Sequence, residues 1–146
     1  MKIRLMQISD YESIYQLWLR TPGLGLNTTD DSKEGIEKYL KRNPNTNFVA
    51  EDNGVIIGAI LTGHDGRRGS INHMVVDVNY RRKKIATKLV DTALRALKEE
   101  GISKVLLVAF KQNELANQFW TDYGFKLRED LNYYDECLVE LERIDT

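Results

Sequence analysis
Cysteine is almost missing: Cys137 is the only one in 146 residues. The chain can therefore form no internal disulfide and no cysteine-built zinc site. A surplus of either charge is missing too. Lysine and arginine total 21 against 22 acidic residues, a formal −1, which argues against wholesale nucleic-acid binding and adhesion to an acidic membrane. No apolar run approaches the roughly 20 residues needed to cross a bilayer. The opening MKIRLMQISDYES lacks the continuous apolar core of a signal peptide. Internal repeats and low-complexity tracts are also lacking. The expectation is a cytoplasmic protein with no membrane or nucleic-acid partner. With 42% apolar residues, residues 1–146 suit one domain with a substantial core.

The pattern along the chain predicts alternating strands and helices. Lys2 to Ile8 reads as a strand, and Asp10 is placed to cap a helix carrying Ile14, Leu17 and Trp18. The stretch TPGLGLNTTDD (21–31) has no periodicity and is rich in turn formers. Connections of that length are often functional, although a plain helix–helix connector fits equally well. Ser32 is placed to cap a second helix, with Ile36, Tyr39 and Leu40 on one face. Phe48 to Glu51 and Val55 to Leu61 read as strands joined by Asp52-Asn53-Gly54, which is hairpin chemistry. A further strand runs from about Ser70 to Val78. Ile85, Ala86, Leu89, Val90, Ala93, Leu94 and Leu97 form the apolar stripe of a long helix stopped by Gly101. Lys104 to Ala109 reads as a buried strand, and Leu115 to Tyr123 as a shorter helix ended by Gly124. Two last strands are expected near Phe125 to Arg128 and Tyr134 to Leu141. Strands outnumber helices, two helices lying early and two late, so a mixed sheet in an α/β or α+β domain is indicated.

Two segments carry chemistry. Between Val76 and Leu89 the chain reads VDVNYRRKKIATKL, a strand-like run, four bases, then a helix start. The front of a helix offers unpaired backbone N–H groups and a positive dipole end, a natural seat for phosphate. Alone, the four bases favour a solvated face or a weak nucleic-acid patch over a phosphate site. The second segment is NELANQFWTDYGF, Asn113 to Phe125. Its presence downstream favours the phosphate reading.

Together the two segments resemble the GNAT superfamily of acetyl-CoA-dependent N-acetyltransferases, in its small single-domain bacterial form. The family's cofactor loop has the pattern Gln/Arg-x-x-Gly-x-Gly/Ala. Arg81 and Ala86 match it, whereas Lys84 stands where glycine is usual. The later pattern, Asn-x-x-Ala-x-x-Leu/Phe-Tyr-x-x-x-Gly-Phe, is met by Asn113, Ala116, Phe119, Gly124 and Phe125, with Trp120 at the tyrosine position. The resemblance spans nearly the whole chain and is weakest before Asn47. It implies a mixed, mostly antiparallel sheet of six or seven strands flanked by four helices, with a splayed central pair of parallel strands.

The resemblance also implies a site. Arg81, Arg82, Lys83, Lys84, Ile85, Ala86 and Thr87 would hold the pyrophosphate of acetyl-CoA, with Lys84 compatible if its φ is negative. The pantetheine arm would pair with Met74, Val75 and Val76, flanked by Asn113, Phe119 and Trp120. For Asn113, a local helix cap is the competing reading. No metal is implied. The reaction would be direct acetyl transfer to a primary amine of a small molecule, peptide or protein, by a monomer or homodimer. It needs a neutral amine, a polarised carbonyl and a proton for the thiolate. In many relatives a tyrosine at the position of Trp120 gives that proton, and in some N-terminal acetyltransferases a base stands where Val108 stands here. Both departures make an alternative credible, a catalytically weak acyl-CoA-binding module, although the enzyme is the expected reading. Other candidates are Tyr134, in the motif Asn132-Tyr133-Tyr134, and His73, whose ordinary pKa range suits a base. A surface tyrosine and a histidine on the opposite sheet face are the competing readings, and strand parity alone does not decide the second.

Overall fold
The computed structural model describes residues 1–144. The described residues form seven strands and four α-helices. β1 (Lys2–Leu5) enters first, and a 3-10 turn leads into α1 (Tyr11–Leu19). After β2 (Leu26–Asn27) comes α2 (Lys33–Arg42), whose Ser32 cap accepts a hydrogen bond from the Gly35 N–H. β3 (Phe48–Asp52), β4 (Val55–His64) and β5 (Gly69–Val76) follow as a meander. α3 (Ile85–Glu99), β6 (Val105–Leu107), α4 (Glu114–Tyr123) and β7 (Arg143–Ile144) complete the described chain.

The main sheet runs β1-β3-β4-β5-β6, antiparallel throughout except for the parallel β5–β6 pair. That pair lies at the sheet edge rather than its centre. The expected strands at Phe125–Arg128 and Tyr134–Leu141 do not form, and 125–142 has no regular secondary structure. A strand exists only where a neighbour completes its hydrogen-bond ladder, and β6 offers just three residues. The last strand is instead Arg143–Ile144, which pairs with Leu26–Asn27 in a separate two-stranded ladder inside the stretch that showed no periodicity.

Each sheet face carries its own core. Ile14, Leu17 and Trp18 of α1 and Ile36 of α2 pack on one side with Val49, Ala59, Leu61 and Val75. Leu89, Val90 and Ala93 of α3 pack on the other side with Ala50, Ile57, Ile60, Ile71 and Val76. The α3 stripe read from the sequence is the stripe buried here. Where β3 has not yet begun, side chains replace its ladder. The Asn47 side-chain oxygen accepts from the Thr62 N–H (2.7 Å), and Asn43 accepts likewise from the His64 N–H (3.0 Å).

Asp10 precedes α1, as expected, but its carboxylate does not cap that helix. It receives two hydrogen bonds from the Arg4 guanidinium, 2.9 Å each, and one from the Gln7 N–H at 2.8 Å. Burial by itself would raise the Asp10 pKa; the Arg4 and Gln7 hydrogen bonds outweigh it and hold the group below its ordinary value. A carboxyl with a depressed folded-state pKa contributes stability above its unfolded value, about 3.9, that is lost as pH falls through the folded value. Thermal melts should therefore weaken on acidification below about pH 4. Asp10→Asn should lower the neutral-pH midpoint and flatten that dependence. An unchanged pH slope in the variant would show that other carboxylates account for it.

Candidate functional site
A β-bulge builds the site. Ile60 pairs with Met74 and Thr62 with Ile71, so two residue steps on β4 face three on β5. The extra residue lies within Asn72–His73. It leaves Ile71 and Val76 on the α3 face while Val75 turns to the α1 face, and bulges re-aim side chains in this way. The parallel ladder stops at Ile71–Leu107. β5 then continues to Val76 with hydrogen-bonded neighbours on its β4 side only. A slot opens between Met74–Val76 and Val108–Phe110, inside a crevice of about 1740 Å³.

One end of the crevice is cationic. Arg81, Arg82 and Lys84 line it together with Ile85, Ala86 and Thr87. The Lys88 N–H bonds the Lys84 carbonyl (3.1 Å), and Lys84 supplies no side-chain cap. The N–H groups of residues 85–87, in the first turn, are thus free for an anion. Lys83 is not in the lining; its ammonium lies 5.2 Å from the Tyr80 ring centroid.

Lys84 corrects one expectation. Its φ is +61°, not negative, and Arg82 also has a positive φ of 66°. The turn into α3 thus takes the left-handed conformation without glycine. A left-handed conformation costs a residue with a Cβ about 1–2 kcal/mol. Lys84→Gly should raise the melting midpoint by about 2–8 °C, checked by calorimetry. A lowered midpoint would mean that the lysine side chain offsets this strain.

The crevice roof comes from the Gly-rich loop and α4. Gly23 has φ +86°, and a Cβ there would sit 2.7 Å from Asn113 Nδ2; Gly25 has φ +74° and lies against the Phe110 ring. These glycines let the backbone close over the end of β6. Asn113 lines the crevice and caps α4, its Oδ1 accepting from the Ala116 N–H at 3.1 Å. Phe119 and Trp120 line the same wall, and Trp120 stacks edge-on with Phe125. Every residue expected to hold the cofactor is brought to the crevice except Lys83.

The candidate catalytic residues separate. Tyr134 is 86% exposed and outside the lining, whereas its neighbours Tyr133 and Asp135 border the crevice. A loop with no partner strand does not hold Tyr134 inward. His73 lines the crevice wall, and its Nε2 lies 2.8 Å from the buried Asp31 carboxylate. The bulge places His73 on the α1 side, where the Trp18 indole meets it edge-on at 5.1 Å. His73 Nδ1 and Trp18 Nε1 are both buried without a hydrogen-bond partner.

Asp31 is further held by Tyr11 and Asn27. The Tyr11 hydroxyl donates to its carbonyl (2.7 Å) and its carboxylate accepts from the Asn27 N–H (2.9 Å). Burial pushes the Tyr11 phenol up to about 12. Sequence reasoning missed the pairing of Asp31 with His73, and missed Trp18 and Tyr133. The one signal for Asp31 was its position in an aperiodic, polar loop.

A model of the acetyltransferase (GNAT) family matches residues 11–125. Acetyltransferase ECA0875 of Pectobacterium atrosepticum is 32% identical over 114 residues, covering 78% of this chain and 79% of that protein. An acetyltransferase of Yersinia pestis strain Pestoides F is 27% identical over 142 residues, 97% of this chain and 99% of that protein. Among solved structures, the PaiA N-acetyltransferase of Thermoplasma acidophilum in complex with coenzyme A has a TM-score of 0.74. Its sequence identity is 21%, over 87% of this chain and 90% of that one.

Proposed function
The chain belongs to the GNAT acetyltransferase family, and from that premise we propose direct transfer of an acetyl group from acetyl-CoA to a primary amine of a small molecule, peptide or protein. The observation that carries this reading is a single crevice joining free helix-front amides and two arginines to an unpaired stretch of β5. Arg81, Arg82, Lys84 and the amides of residues 85–87 fit a diphosphate. The open edge of Met74–Val76 fits the amide-bearing pantetheine arm as an added strand. Phe119 and Trp120 give that arm an apolar wall. The coenzyme A complex of the Thermoplasma acidophilum relative supports the same ligand class. Among the described residues no helix is long and apolar enough to cross a membrane.

Acetyl-CoA supplies a thioester carbonyl for attack by the amine. The chain's part is to orient the two reactants, polarise that carbonyl through a strand N–H near Val76, and accept the amine proton. We assign the proton to His73. With its Nε2–H donating to Asp31, the acceptor is Nδ1, which is buried here and must turn to the crevice as the substrates bind. An ordinary thiol has a pKa near 8.5, so the departing thiolate takes its proton from solvent and needs no acid from Tyr134.

The alternative is an acyl-CoA-binding module with weak catalysis. The sealed Nδ1 and Trp120 at the family's tyrosine position favour it. One experiment separates the readings. Acetyl-CoA should raise the melting midpoint, and free CoA should appear when a panel of amines, peptides and protein N-termini is supplied. Binding without turnover on any acceptor would support the module. No thermal shift, with salt-sensitive oligonucleotide binding instead, would overturn both.

A further inference from the structure
We propose that residues 134–142 of one copy add as a strand to the free edge of β6 in a second copy, reciprocally, so that the protein is a two-fold dimer. Three observations meet here. The segment YDECLVELE has strand composition, yet Tyr134, Leu138 and Val139 are 86%, 94% and 62% exposed. Such residues are found in a ladder with one face covered, not in open solvent. Second, β6 ends the main sheet, and Leu106 on it is 52% exposed, with Val108 just beyond its end 63% exposed. An exposed, apolar sheet edge is a template for another chain unless it is covered.

Third, the charges match. The segment carries Asp135, Glu136, Glu140 and Glu142 with no base, while β6 and its flanks carry Lys104 and Lys111 with no acid. Opposite charge on two surfaces sets the partner and register of an added strand. The segment is also an arm between fixed ends. Phe125 is held on Trp120 (N–H to carbonyl, 2.9 Å), and the Glu142 carbonyl accepts from the Thr28 N–H at 2.9 Å. Exchange between copies needs no unfolding of either body, and two-fold symmetry forms each arm-on-edge contact twice. The occupant is a second copy because the same chain carries both the arm and the complementary edge. This inference does not depend on the acetyl-transfer reading.

Sedimentation equilibrium of the full chain tests it. The wild type should be a dimer at micromolar concentration. Leu138→Asp removes a side chain that touches little within the protomer, so its circular-dichroism melt should survive while the dimer dissociation constant rises at least about 100-fold. Leu106→Asp should weaken the dimer similarly from the edge side. Mixing the two variants should restore a dimer, because one arm and its edge are then both intact. A monomeric wild type, a dimer indifferent to Leu138→Asp, or no recovery on mixing would each overturn the proposal.

Discussion

His73→Ala should lower kcat by about 100- to 10,000-fold, the range measured when a positioned proton acceptor is lost. Affinity for acetyl-CoA should change little, because the amides of residues 85–87 proposed to hold its phosphates lie on another element. The argument rests on the imidazole's fixed orientation. Asp31 is buried, tied to Asn27 and Tyr11, and holds Nε2 at 2.8 Å. Only Nδ1 is then left to receive a proton. His73→Gln separates chemistry from scaffolding, since glutamine can still donate to Asp31 but cannot act as a base. Steady-state kinetics on both variants decide the role. If glutamine restores most of the rate, His73 is a positioning residue and the amine loses its proton to solvent. If alanine costs less than about threefold, the group is outside the chemistry altogether.

Trp18→Ala should cost about 3–5 kcal/mol of stability and lower the melting midpoint by about 6–20 °C. Trp18 is 1% exposed in the core between α1 and the sheet, and its ring also forms the wall against which His73 rests. Deleting it leaves a void the size of an indole that Ile14, Leu17 and Val75 cannot fill. Trp18→Phe should recover most of the midpoint, because its orphaned indole N–H contributes no hydrogen bond. Assayed well below their midpoints, the alanine variant should lose more turnover than the phenylalanine variant, since His73 loses its support. Equal turnover in both would mean that Asp31 alone orients the imidazole.

The α3 stripe, the Ser32 cap and the Asp52-Asn53-Gly54 turn were legible because each depends on residues within a few positions of one another. The cationic helix front was legible for the same reason: Arg81 to Thr87 is one contiguous stretch, and its amides need only the helix behind them. Asn113 was legible in position, and of its two sequence readings the structure shows the α4 cap. The pairing of Asp31 with His73 was not legible, because the two residues are 42 positions apart. Nor was the face taken by His73, which the bulge decides. Bulge placement depends on how β4 and β5 register, and no local pattern encodes that count. The two terminal strands were expected from alternation alone, but alternation shows only that a segment can join a ladder. Whether it does so depends on the edge it meets.

From its sequence alone this chain determined its helices, its turns, its cationic helix front and its family pattern, all of which arise from short-range geometry and side-chain type. Only tertiary packing decided the splay between β5 and β6, the bulge that turns His73 toward Asp31 and Trp18, and the exposure of residues 125–142. Those features arise from hydrogen-bond partners and close contacts between distant segments, and such partners exist only once the sheet has assembled.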